Sequence, residues 1–205
     1  MAFQTVPEVL LNRVKVTPNN TAFSYPAGSG WKTVSWKEFG EQVKQIAMGL
    51  RALGVKAEQR VAILSGTRYE WVAADLGILC AAGATSTIYP SSLAEDCSYI
   101  VSDSGTVIAF AENEEQVKKL LSQKAQIPTL QKIVVFDGKA SGDGFVITLQ
   151  ELQELGKPAT QAEFEAVTPY YYSTYERGAS THDAAAGTPG SSSAFAGDDE
   201  IRVTE

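Results

Sequence analysis

From about residue 20 to residue 155 the chain alternates short apolar runs with longer amphipathic ones, and this alternation restricts the fold more than any other feature. Arg60-Val61-Ala62-Ile63-Leu64 is a brief apolar run of the kind buried in a parallel sheet, and Thr85 to Tyr89, Thr106 to Phe110 and Lys132 to Phe136 repeat the pattern. Each is followed by residues with helical period or by turn residues. Strand, helix, strand, helix at this spacing predicts right-handed βαβ crossovers. The expected fold class is therefore α/β: a doubly wound, mostly parallel sheet with helices on both faces.

Local signals sharpen the pattern. Phe23-Ser24-Tyr25 and Thr33-Val34-Ser35 flank Pro26-Ala27-Gly28-Ser29-Gly30, which reads as a hairpin. Ser35 followed by Glu38 is a capping box. The helix it opens carries Trp36, Phe39, Val43, Ile46, Leu50 and Leu53 on one stripe, and Gly54 is placed to end it. Ser65-Gly66-Thr67 turns into a helix from about Arg68 to Ala82. Ser91 or Ser92 is expected to cap a helix bearing Leu93, Cys97, Ile100 and Val101, which halts at Ser104-Gly105. The next helix turns Val117, Leu120 and Leu121 inward, and Glu114–Lys118 and Glu115–Lys119 are expected as i,i+4 pairs. Phe145-Val146-Ile147 and a short helix from Thr148 to Leu155 complete the ordered part, and an N-terminal helix precedes it.

Composition excludes several functions. The chain has 17 basic against 24 acidic residues, a formal charge of −7, which argues against a nucleic-acid partner. The longest weakly polar run, Ala73 to Ala84, is too short for a bilayer and contains Asp75. The first seven residues lack the basic start and apolar stretch of a signal peptide, so the cytoplasm is the expected compartment. Cys80 and Cys97 are too few for a disulfide framework and are expected as reduced core residues. After Thr168 the pattern changes: Tyr170, Tyr171 and Tyr172 lack period, and Gly178 to Gly197 is almost entirely small residues. Residues 1–165 are expected to form the α/β unit and 166–205 a disordered tail.

Open α/β sheets bind ligands beyond the carboxyl ends of their strands, so Ser65-Gly66-Thr67 and Tyr89-Pro90-Ser91-Ser92 are the places to look. Neither is a nucleotide motif, because no G-x-G-x-x-G and no G-x-x-x-x-G-K-[ST] occurs. The glycine-rich stretch Gly138 to Gly144 opens no long helix and reads as a surface loop. The single histidine, His182, lies beside Asp183 in the low-complexity stretch, where no triad geometry is held. One histidine and two distant cysteines make no tetrahedral metal site. Residue chemistry alone nominates no catalytic, cofactor-binding or metal residue.

A resemblance extends this reading. Thr33-Val34-Ser35-Trp36-Lys37-Glu38-Phe39, Gly49-Leu50-Arg51-Ala52-Leu53-Gly54-Val55 and Arg60-Val61-Ala62-Ile63-Leu64-Ser65 occur in order. Tyr69-Glu70-Trp71, Asp75-Leu76-Gly77, Gly83 to Pro90, Tyr99 to Ser104 and Glu115-Gln116-Val117 follow. Over roughly residues 5 to 165 this series resembles the N-terminal subdomain of adenylate-forming acyl-CoA synthetases, in particular bacterial long-chain fatty acid–CoA ligases.

The resemblance implies a two-step reaction. A fatty acid carboxylate attacks the α-phosphate of ATP, with Mg²⁺ present, and expels pyrophosphate; the thiol of coenzyme A then displaces AMP from the acyl-adenylate. Such a displacement demands preorganised donors and a cation around the polyphosphate. The family supplies them from a Ser/Thr/Gly-rich loop ending in Pro-Lys-Gly, an adenine-site Tyr-Gly-x-Thr-Glu segment, a ribose-binding Asp and a C-terminal lysine. None of these motifs is present in the 205 residues. Where the phosphate loop is due, the sequence reads Gly178 to Gly190, and only Gly187-Thr188-Pro189 is similar to its end. The residues after about 168 read as a frame-shifted or otherwise scrambled version of the family's continuation.

The expectation is thus a fragment of a fatty acid–CoA ligase that is inactive alone, with ATP, Mg²⁺ and coenzyme A as cofactors of the complete enzyme only. The alternative is a non-catalytic module that pairs with a separate chain carrying the catalytic half. Peripheral membrane contact follows from the acyl substrate, and self-association is expected through an exposed sheet face.

Overall fold

The computed structural model describes residues 5–168. Helix α1 (Val6–Val16) opens on a capping box in which Thr5 and Glu8 satisfy each other's backbone N–H groups. Strands β1 (Thr21–Ala27) and β2 (Gly30–Ser35) form the antiparallel hairpin. Helix α2 (Trp36–Ala52) starts at the expected capping box, with the Ser35 N–H donating to Glu38 at 2.8 Å. It ends just before Gly54, whose φ of +90° suits glycine.

The main sheet has five parallel strands: β3 (Arg60–Leu64), β4 (Ala84–Ile88), β5 (Ile108–Asn113), β6 (Lys132–Asp137) and β7 (Val146–Thr148). Their spatial order is β4-β3-β5-β6-β7, the doubly wound arrangement in which the chain reverses direction across the sheet between β3 and β5. The period-2 alternation of β3 divides its side chains between two cores. Val61 and Ile63 face the layer of α1, α2, α3 (Tyr69–Cys80) and α6 (Leu149–Gly156). Ala62 and Leu64 face α4 (Ala94–Ser104) and α5 (Glu114–Ser122). The α2–α6 contact depends on glycine: a Cβ on Gly156 would overlap the Gln45 carbonyl oxygen, and one on Gly49 would overlap that of Leu152.

The α/β class, the parallel sheet and the two helical layers agree with expectation, and several details differ. Helices cover β3, β5 and β6 on both faces, while on β4 Thr85 and Ser86 are half-buried and Thr87 is exposed. The edges of the sheet are β4, paired with β3 alone, and β7, paired with β6 alone, among the described residues. A further helix covers residues 161–168, with Phe164 and Thr168 both buried, and the tail expected over 166–205 lies outside the described residues from 169 on. Neither Ser91 nor Ser92 caps α4. The N-cap is Leu93, 67% exposed, and its N–H donates to Asp96. Leu121, 40% exposed, does not join the core, because Val117 and Leu120 already fill the inward face of α5. The pair expected between Glu115 and Lys119 gives way to a tertiary contact, since Lys119 donates instead to the carbonyls of Pro90 at 2.6 Å and Ser92 at 3.0 Å. Between β6 and β7 the chain forms a loop, in agreement with the reading of Gly138 to Gly144.

Candidate functional site

The register that pairs Leu64 with Ile88 brings the two nominated loops side by side at the carboxyl edge of the sheet. Ser65, Gly66 and Thr67 share a cleft of about 350 Å³ with Thr87, Ile88, Tyr89 and Trp71. Ser65 is buried, and its hydroxyl donates to the Gly66 carbonyl at 2.9 Å. Lys119 pins the neighbouring turn through Pro90 and Ser92.

Beside this cleft lies the crevice between β3 and β5, where doubly wound sheets hold their ligands. Several of its polar groups are engaged within the chain. The Gly66 N–H donates to the Glu112 carboxylate at 2.8 Å. Arg68 reaches Glu70 at 2.6 Å through Nε and Asp137 at 2.5 Å through a terminal nitrogen. Because Asp137 ends β6, that bridge passes over the end of β5. The hydrogen bond to Asp137, followed by Glu70, raises the Arg68 pKa above its ordinary value against the opposing effect of burial. The guanidinium also lies 5.8 Å from the centre of the Phe136 ring.

This edge does not fit a triphosphate. The Gly66 amide holds the carboxylate of Glu112, and Arg68 is occupied by two further carboxylates of the chain, Glu70 and Asp137. An incoming polyanion would meet these carboxylates, and the Gly66 amide is already held by one of them. Among the described residues, no group of three His, Cys, Asp or Glu side chains could hold a metal ion.

The other nominated features are structural where they are described. Cys80 and Cys97 are free and buried, and burial pushes the Cys80 thiol up to about 12. Burial raises Cys97 as well, with Lys119 pulling the other way. Thiols held protonated in this way are poor nucleophiles. The glycine-rich loop over 138–144 closes on itself, with Asp143 accepting from the Phe145 N–H at 3.0 Å and from the Ser141 hydroxyl. Tyr170–Tyr172, Gly178–Gly190 and His182 lie outside the described residues.

A larger groove, about 790 Å³, runs between α1, α2 and the helix over 161–168, on a floor of Leu10, Leu11, Val14 and Phe164. Its rim includes Ser35, Lys37, Glu38 and Glu41, with the Ser35 hydroxyl donating to Glu38 at 2.8 Å as part of the α2 cap. A second aromatic feature sits under the hairpin. Tyr25 stacks on Tyr69 at 4.5 Å, and the Tyr69 hydroxyl donates to Gln42 at 2.7 Å. Burial, chiefly, holds the Tyr69 pKa above its usual value.

The model of the AMP-binding enzyme family matches residues 10–172. The chain belongs to that family. Among curated relatives of this AMP-binding chain, the long-chain-fatty-acid–CoA ligase FadD15 of Mycobacterium bovis is 33% identical over 136 residues, 66% of this chain and 22% of that protein. The ligase ACSBG2 of Xenopus laevis is 27% identical over 164 residues, 80% of this chain and 22% of the relative. The chain thus spans about a fifth of the length of these relatives. Solved structures share the fold. The anthranilate CoA ligase AuaEII, in complex with anthranoyl-AMP, superposes with a TM-score of 0.63 at 20% identity, over 74% of this chain and 27% of that one. Acetoacetyl-CoA synthetase from Streptomyces lividans gives 0.62 at 22% identity, over 72% and 24%.

Sequence reasoning nominated the two loops and missed the groups that close them: Glu112, Asp137 and Lys119. The available signal was positional. Glu112 and Asp137 stand at the carboxyl ends of strands, where a charged side chain faces the ligand edge.

Proposed function

We propose that this chain is the N-terminal α/β portion of a long-chain fatty acid–CoA ligase, and that its 205 residues alone do not form an acyl-adenylate. The complete enzyme would activate a fatty acid with ATP and Mg²⁺ and pass the acyl group to coenzyme A. This chain's share is the α/β scaffold proposed over residues 1–165. Its place is the cytoplasm, with peripheral contact to the membrane that holds the acyl substrate. No catalytic, cofactor-binding or metal residue is assigned to it.

One observation carries the reading. In a chain matched over residues 10–172 by an AMP-binding family, the crevice between β3 and β5 is filled by the chain's own Glu112 and Arg68–Asp137 contacts. Fatty-acid-dependent ATP–pyrophosphate exchange tests it. The purified chain is expected to give no exchange above a protein-free blank; robust exchange that rises with fatty acid would overturn the proposal.

The open side of β4, flanked by the exposed side chains of Tyr89 and Leu93, favours one second reading: a non-catalytic module that pairs with a separate chain supplying the catalytic half. Exchange restored by adding a separately expressed catalytic half would support it, and a mixture that stays inactive would count against it.

A further inference from the structure

The two edges of the main sheet end differently. On β7, Phe145 accepts from Ile133 on the β6 side, so Val146 and Thr148 send their backbone groups outward, and the chain itself meets them. The Ser141 N–H donates to the Val146 carbonyl at 2.9 Å, and the Val146 N–H donates to the Ser141 hydroxyl at 2.9 Å. The Thr148 N–H donates to Glu151 at 2.7 Å. β4 has no such cover. Ala84 donates to Gln59 on the β3 side at 2.9 Å, so Thr85 and Thr87 send their backbone groups outward, where no described strand meets them. The strand reads Ala84-Thr85-Ser86-Thr87-Ile88, without the lysine, proline or bulge that ordinarily blunts an edge. Tyr89 and Leu93, 80% and 67% exposed, stand just beyond its carboxyl end.

We infer that β4 is a docking edge for an extended segment of a partner polypeptide that carries basic side chains, added to the sheet as a further strand. Charge complementarity selects this occupant. α4, which packs over one face of β4, carries Glu95, Asp96 and Asp103 and no basic residue. On the other face, Asp75 of α3 accepts from the Thr85 hydroxyl at 2.7 Å. Of the cations at the two ends of the edge, Lys119 holds the Pro90 and Ser92 carbonyls, and Arg60, opposite Ala84, follows Glu58 by two residues. Carboxylates thus outnumber cations along the edge. A second copy does not fit, because two-fold pairing of β4 with itself would set one acidic α4 beside the other. In strand addition the main chain supplies affinity and the side chains supply specificity. Here the acids of α4 select basic residues, while Tyr89 and Leu93 offer apolar contact. The inference rests on the second reading above, in which this edge meets a separate chain, and adds the mode of contact and the chemistry of the partner. Peptide binding and restored pyrophosphate exchange are separate readouts, so either can fail alone.

The test titrates the ¹⁵N-labelled full chain with a synthetic peptide of alternating valine and lysine. The Thr85 and Thr87 amide resonances are expected to move saturably, and added salt should weaken the binding. A valine–glutamate peptide of the same length should leave both resonances in place. The valine–lysine peptide N-methylated at every backbone nitrogen keeps its charge but donates no backbone hydrogen bond, and should bind at least about tenfold more weakly. On the protein, Glu95→Gln and Asp103→Asn, both at exposed positions, should weaken binding about threefold each and about tenfold together. Resonances away from α4 should coincide with those of the unmodified chain in that double variant. Unmoved Thr85 and Thr87 resonances, equal binding of the glutamate peptide, a methylated peptide that binds as tightly as its parent, or a double variant that binds like the unmodified chain would each overturn the inference.

Discussion

The carboxyl edge of the sheet and the N-terminal layer handle their polar groups in opposite ways. At the carboxyl edge, charge is turned inward: Gly66 holds Glu112, Arg68 holds Glu70 and Asp137, and Lys119 holds the turn after β4. In the N-terminal layer, Lys15, Lys32 and Trp31 face solvent. The first region has the topology of a ligand site and the chemistry of a closed one. The second has no catalytic topology and an open, partly apolar surface. The position of a strand end in a doubly wound sheet therefore nominates a site, but the partners of its amides and charges decide whether anything can enter.

The largest expected effect separates the inside of the N-terminal layer from its outside. Phe39 is fully buried and packs 4.7 Å from the Phe23 ring. Phe39→Ala should cost about 3–5 kcal/mol in chemical denaturation, whereas Trp31→Ala on the exposed side should stay within about 0.5 kcal/mol. Comparable losses in the two variants would erase the distinction between packed and presented aromatics.

Next comes the clasp. Arg68→Ala leaves Glu70 and Asp137 without their shared cation, but Asp137 keeps much of its hydration, so the loss should be about 1–2 kcal/mol. Lys15→Ala should be near neutral. A clasp variant as stable as the lysine variant would show that the carboxyl edge is no more tightly knit than the surface. Glu112→Ala should cost about 1 kcal/mol by freeing the Gly66 amide, while Glu112→Gln keeps an acceptor there and should cost less. Amide hydrogen exchange at Gly66 would distinguish them, faster in the alanine variant.

Much of this was legible in the amino acids. The bounds of β3 and the capping box of α2 follow from local pattern, because a short apolar run and a Ser-x-x-Glu need only near neighbours to act. The Arg68–Asp137 bridge spans 69 residues of chain, and no local rule pairs them. Lys119 shows the same limit: its helix neighbours suggested a partner within one turn, and tertiary structure offered two carbonyls on the adjoining loop. The cap of α4 was misplaced because two serines precede Leu93, and Asp96, three residues further on, decides the start. The closed state of the carboxyl edge was invisible for the same reason, since it depends on which strand ends become neighbours.

The smallest effect concerns acid. The Ser35 N–H and hydroxyl hold Glu38 below its ordinary pKa, so the folded chain binds fewer protons there than the unfolded one. That stabilisation is present above the usual glutamate range and is lost as pH falls through the lowered folded value. Glu38→Gln should therefore flatten the acid limb of a stability–pH profile; an unchanged limb would remove this cap from the account.

The claim on which the functional reading turns is that Gly66 has no free amide for a phosphate. Titrating ¹⁵N-labelled chain with Mg–ATP and following the Gly66 amide resonance tests it directly. The expected result is a resonance that does not move across the titration. A saturable shift of that resonance, weakened by excess pyrophosphate, would mean that the crevice opens to the nucleotide and would contradict the account.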